Sequence, residues 1–205
     1  MSQTGGETDI NALLRKAGIA ESTVEAVILI DALMQNWRRR AMRRELGHRA
    51  LIDLKIGIDL AQFDVLVAIE APVDEFGDST GSETMVATVA ERLGIDPSRA
   101  SRVVSEMVEA GYARRAVSQA DARRTIIELT HAGKTIVEAV RAYKFLIMGD
   151  FLGSWAAPEL ETFLPLLRKF GKWPEHTEAA ADKFVDDVAI LAQGIAASRK
   201  QAELA

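Results

Sequence analysis

Ser98, Arg99, Ser101 and Arg102 follow one another closely behind an Asp96-Pro97 pair. Arginine can pair bidentately with guanine, and serine can donate to or accept from base edges and phosphates. The start of a helix adds free amides that favour a phosphate. Recognition of an anion or a base edge is therefore the chemistry these residues offer. Further on, Asp121 precedes Arg123 and Arg124 in a short polar segment. An arginine held at such a tip can enter a narrow, A·T-rich minor groove. Asp121 is expected to hold Arg123 by a charge-assisted hydrogen bond. From Arg92 to Arg124 there are seven arginines, Arg115 among them, and no lysine, against four acids (Asp96, Glu106, Glu109 and Asp121). That local surplus of positive charge sits in a chain whose formal net charge is −5, which is the electrostatic footprint of a nucleic-acid face. Capped surface helices with solvated arginines would account for the same residues taken singly.

The elements that must position these side chains are legible from periodicity. Val89, Ala90 and Leu93 mark a short helix, Thr88 to Leu93, which Gly94 ends in the left-handed conformation. Asp96 caps a second helix with Pro97 at its first position. Ala100, Val103, Val104, Met107 and Val108 bury one face of that helix, leaving the serines and arginines on the other. Two helices joined by a short Gly-containing turn form a helix-turn-helix. Tyr112–Val117 and Arg124–Leu129 read as two strands of a hairpin, with Ser118–Arg123 as its tip.

The stretch from Gly57 to Gly133 resembles the winged-helix core of MarR-type transcriptional regulators. The most specific piece is the wing, Asp121-x-Arg123, followed by Leu129-Thr130-x-x-Gly133 opening the next helix. The resemblance implies a mainly α fold with a small β-hairpin wing, in which Pro97–Ala110 reads DNA and Arg123 is the wing arginine. It implies a homodimer on a pseudo-palindromic double-stranded operator, acting by default as a repressor. It also implies response to a small, aromatic or anionic effector bound between the DNA-binding lobe and the helical dimer region. The expected DNA-binding residues are Ser98, Arg99, Ser101, Arg102, Arg115, Asp121, Arg123 and Arg124.

The flanks follow in pattern only. Ile10–Lys16 reads as a short helix. From Val24 to about Glu45 a long helix begins apolar on nearly every side and turns basic at Arg38, Arg39, Arg40, Arg43, Arg44 and Arg49, either a solvated face or a surface for phosphates or acids. Ala61 to Ala71 is a core helix. Val73–Thr84 reads as an exposed acidic loop, and Met85-Val86-Ala87 as a third short strand behind the wing. Helices are expected from His131 to about Trp155, from Pro158 to near Gly171, and from Ala179 to Ala197. The domain reading is residues 1–56 for dimerisation, 57–133 for DNA binding and 134–205 for dimerisation.

Other classes recede. His48, His131 and His176 are scattered without metal-ligand spacing, and no nucleophile elbow, P-loop or dinucleotide fingerprint is present, so neither catalysis nor a metal or cofactor is expected. With no cysteine, disulfides and thiol switching are excluded. The absence of a long apolar run or a signal-peptide pattern points to a soluble cytoplasmic protein. Trp37, Trp155 and Phe63 are either core residues or the lining of a ligand pocket. The alternative function is a protein-interaction module that docks a partner through the acidic loop and the terminal helices.

Overall fold

A glycine and a proline-capped turn set the geometry of the central part. Gly94 takes φ +59°, ending helix α5 (Val86–Leu93), and Asp96 caps helix α6 (Pro97–Glu109). In the computed structural model the described residues are 9–70 and 83–202, the side chains at 41, 42, 178 and 201 excepted. They form two compact units, one of residues 41–154, the other of residues up to 40 together with those from 155 onward.

The 41–154 unit is built on helix α4 (Leu60–Glu70), which is apolar around its circumference. Val65, Leu66, Ala68 and Ile69 are all buried, and α5, α6 and a two-stranded antiparallel sheet pack around them. The strands are β1 (Ala113–Val117) and β2 (Thr125–Leu129), paired from Ala113 opposite Leu129 to Val117 opposite Thr125. Helix α7 (His131–Gly153) closes the core through Val137, and helix α3 (Glu45–Asp53) packs on α7 and α4. Leu66, Val89, Val104, Met107 and Ile127 are sealed from solvent, which makes this the hydrophobic centre that holds the helix-turn-helix rigid.

Several expectations are corrected here. Met85-Val86-Ala87 is not a strand. Val86 already begins α5, and Met85 donates its amide to the Thr88 hydroxyl at 3.4 Å, so its backbone is turned into a helix start. Only the Thr84 carbonyl reaches the sheet, accepting the Ile127 amide at 2.7 Å. The long basic helix is divided, because α2 (Glu21–Arg43) ends where Arg44 adopts φ +53°, and α3 starts afresh. Each wing strand is one residue shorter than read, beginning or ending beside Tyr112 and Arg124. Of the loop Val73–Thr84, all but Glu83 and Thr84 lies outside the described residues.

The other unit holds helix α1 (Ile10–Lys16), the first turns of α2, and helix α8 (Ala157–Gly171), which runs through Pro165. A 3-10 turn at Trp173–His176 follows. The helix expected over 179–197 is two helices, α9 (Thr177–Lys183) and α10 (Val185–Ala202). Phe184 separates them at φ −110°, ψ 24°, off the helical path, with the Lys183 ammonium 5.4 Å from its ring centre. No helix among the described residues is long and apolar enough to cross a membrane.

Candidate nucleic-acid interface

The polar face of α6 is set by its cap. The Asp96 carboxylate accepts the amides of Ser98 at 2.8 Å and Arg99 at 3.4 Å, and the Ser98 hydroxyl donates to it as well. These three bonds, the Ser98 hydroxyl foremost, hold the Asp96 carboxyl below its ordinary range. Ser98 is thus partly spent on its own helix, with its oxygen lone pairs still open to a donor. Arg99, Ser101 and Arg102 are exposed on the same two turns. Arg102 lies 3.8 Å from Glu106, one turn on, and Glu106 in turn accepts from the Gln62 amide of α4 at 3.2 Å. That chain of contacts aims Arg102 along the helix without burying it. Ala100, Val103, Val104 and Met107 press the opposite face into the core, so the exposed face cannot rotate inward.

The wing is a turn locked by its own side chains. Ser118 is buried, and its oxygen accepts the amides of Ala120 at 3.1 Å and Asp121 at 3.0 Å. Asp121 accepts the Arg123 amide at 3.0 Å, and its ion pair is with the Arg124 guanidinium at 3.9 Å. The expectation that Asp121 grips the Arg123 side chain is therefore corrected. The carboxylate fixes the Arg123 backbone, because the turn curls that amide onto it, and its ion pair goes to the next residue. Arg123 is exposed, and no hydrogen bond or ion pair with another described residue holds its guanidinium. Arg115 donates to the Ser105 hydroxyl at 3.2 Å, laying β1 against α6.

Two of the seven arginines belong to the scaffold. Arg92 donates to the Ala68 carbonyl at 2.6 Å and to the Thr84 hydroxyl at 3.0 Å, tying α5 to α4. Arg114 pairs with Glu128 across the sheet at 2.8 Å. Among the basic residues near the end of α2, Arg44 pairs with Asp64 of α4 and Arg49 with Asp53 at 2.8 Å, whereas Arg38, Arg39 and Arg40 stay exposed.

Glu83 was missed as a site-building residue. Its carboxylate accepts the Ser118 hydroxyl and the Gln119 amide, the latter at 2.9 Å, and these bonds, with Arg124 nearby, hold its pKa below the ordinary carboxylate value. Its position at the end of an acidic loop hid this role, since the partner lies across the fold. Gly133 was noted only as part of a motif, and its reason is steric. A Cβ there would meet the Tyr112 carbonyl oxygen at 2.1 Å. Thr130 stands at the same junction, donating to the Gly111 carbonyl at 2.7 Å and accepting the Gly133 amide at 3.2 Å.

A cavity of about 580 Å³ opens between α3 and the start of α4, lined by His48, Leu51, Ile52, Ile56, Ile58 and Leu60 among others. Trp37, Trp155 and Phe63 do not line it. Phe63 packs against the core, Trp155 meets Phe163 edge to face at 5.2 Å, and Trp37 is exposed.

Residues 56–124 match the model of a family described as the MarR family. No curated protein is similar enough in sequence to count as a match. The crystal structure of RV1404 from Mycobacterium tuberculosis is similar at 22% identity and a TM-score of 0.54, over 72% of this chain and 92% of that one. A MarR family protein from Bacillus stearothermophilus is similar at 20% identity and 0.57, over 72% and 94%. The MarR family transcription regulator SP03579 is similar at 20% identity and 0.54, over 77% and 100%. The fold is thus a winged helix-turn-helix with added helices, mainly α with a two-stranded wing.

Proposed function

From the premise that residues 56–124 are a MarR-family winged-helix domain, of the transcription-regulator class, we propose that the chain is a sequence-specific DNA-binding repressor acting as a homodimer. The observation that carries the reading is the pairing of two exposed cationic elements on one rigid core. The first two turns of α6 offer Arg99, Ser101 and Arg102 opposite a fully buried face, and the wing offers Arg123 with its backbone fixed and its guanidinium free. The α6 residues would read base edges in a major groove, with Ser98 accepting from a donor. Arg123 would enter the neighbouring minor groove, while Arg115 and Arg124 contact phosphates and Asp121 shapes the turn. Two copies would set their recognition helices in successive major grooves of a double-stranded pseudo-palindrome, with half-sites about 34 Å apart.

Self-association is supported by large apolar side chains left in water. On the last turns of α7, Phe145, Leu146, Ile147 and Met148 are at least half exposed, Leu146 at 73%. A helix that is apolar on every side is normally covered by other elements or by a partner. Residues 1–56 and 134–205 would supply the interface, flanking the DNA-binding residues 57–133. Release of DNA by a small aromatic or anionic effector is supported by the apolar cavity between α3 and α4. Such a ligand would act by favouring a dimer whose recognition helices no longer match the operator. The reading includes no catalytic role, and a cytoplasmic location.

Selection of genomic fragments by the purified chain, with Arg102→Ala alongside and at two salt concentrations, tests the proposal. Enrichment of a pseudo-palindrome by the parent and not by the variant is the expected outcome. Weak binding that is equal for both and vanishes with added salt would reduce the interaction to phosphate attraction and sink the reading.

A further inference from the structure

The unit formed by the chain's ends holds a small slot. Along α2, Val27, Ile30, Asp31 and Met34 fall at helical spacing on one face. Phe170 in the last turn of α8 and Trp173 at the start of the 3-10 turn stand against them, and these six residues line a cavity of about 260 Å³. The two rings lie nearly parallel, 11° apart in plane, with centres 6.3 Å from each other. Five of the six lining side chains are apolar and the sixth is a carboxylate. No hydrogen bond or ion pair with another described residue engages Asp31, which is exposed at the slot.

A carboxylate beside aromatic faces and an apolar floor selects a particular chemistry. The ring faces attract a cation through their quadrupoles, the carboxylate attracts it directly, and the apolar walls favour a hydrophobic body. An aromatic anion would be repelled by Asp31, and a neutral aromatic would leave that charge unanswered. We propose that this slot binds a small hydrophobic monocation, an ammonium head carried on a single aromatic ring. The head would sit between Asp31 and the Trp173 face, and the ring among Val27, Ile30 and Met34. Arg168, Lys169 and Lys172 are exposed on the neighbouring stretch but do not line the slot. The slot differs in place and preferred charge from the effector cavity proposed above, and nothing in this inference depends on DNA binding.

The test is calorimetric titration of the full chain with three probes of similar size, benzyltrimethylammonium, N-benzylacetamide and phenylacetate. Saturable binding of the cation, about tenfold tighter than the amide, with none for the anion, is expected. Asp31→Asn should remove most of the cation's advantage and leave the amide unchanged. Trp173→Leu should weaken the cation by about tenfold and the amide by less. Circular dichroism checks that both variants keep the parent's helix content. Equal affinity for cation and amide, or an unaltered cation affinity in Asp31→Asn, overturns the proposal. So does the absence of saturable heat for the cation, as when an apolar side chain from a second copy already fills the slot.

Discussion

Arg123 and Glu83 do opposite work at the wing. Arg123 is held only through its backbone, so its guanidinium costs nothing to release towards DNA. Arg123→Ala is expected to weaken operator binding by about 1–3 kcal/mol, as for loss of a groove contact, with little change in thermal stability. Fluorescence anisotropy on the selected operator measures this, and unaltered affinity would take the wing out of the mechanism. Glu83 instead anchors the turn from below. Its pKa is depressed in the folded state, by the Ser118 hydroxyl first and then by the backbone amides of Gln119 and Ala120. A depressed carboxylate stabilises fully above its unfolded value of about 4.3 and loses that contribution as pH falls through the folded value. The protection factor of the Gln119 amide, its rate taken relative to the free-chain rate at each pH, should therefore hold at neutral pH and fall below about pH 4, and Glu83→Gln should flatten that acid response. An identical pH profile in the variant would assign the protection to another group.

At the scale of elements, the decisive contact is between the start of α7 and the entry to β1. Gly133 lets the helix close on the Tyr112 carbonyl, and any Cβ must push one of the two backbones aside. Gly133→Ala should cost about 1–3 kcal/mol in denaturant unfolding, as overpacking does, and should shift the wing relative to α6. A stability equal to the parent's would mean that the junction relaxes without strain. Leu66 plays the corresponding part inside α4. It is fully buried beneath the helix-turn-helix, and Leu66→Ala should destabilise by about 2–5 kcal/mol in the same measurement. Asp96 acts at an element end, since its carboxylate caps α6 and also engages Ser98. Asp96→Ala should fray the start of α6 first, visible as faster amide exchange at Ser98 and Arg99.

For the whole molecule, the balance of buried and exposed apolar surface is what matters. The 41–154 unit hides its core residues almost completely, while the last turns of α7 leave four large side chains in a row at least half exposed. Burying such a row against a second copy would remove apolar area at roughly 25 cal/mol per Å² before association costs. Sedimentation should find a dimer, and Leu146→Glu should shift it towards monomer while leaving the helix content of the 41–154 unit unchanged. A monomeric parent would remove the two-half-site geometry and leave a single DNA-reading lobe.

Much of this was legible in the residues alone. Apolar periodicity placed α5, α6 and α7, because a buried stripe is a local property that each helix writes into its own sequence. Asp96, Pro97, Gly94 and Thr130 marked helix ends for the same local reason, and the exposed face of α6 followed as the complement of its buried one. What needed the tertiary structure was every partnership across the chain. Glu83 holds the wing from 36 residues away, Arg92 and Arg114 are spent on the scaffold, and Asp121 takes an amide where a guanidinium was expected. Arg44's left-handed backbone splits a stretch whose composition reads as one helix, and Phe184 does the same near the end. Periodicity reports which side of an element must be covered. Which charge meets which, and how closely two backbones approach, is decided only when the elements pack.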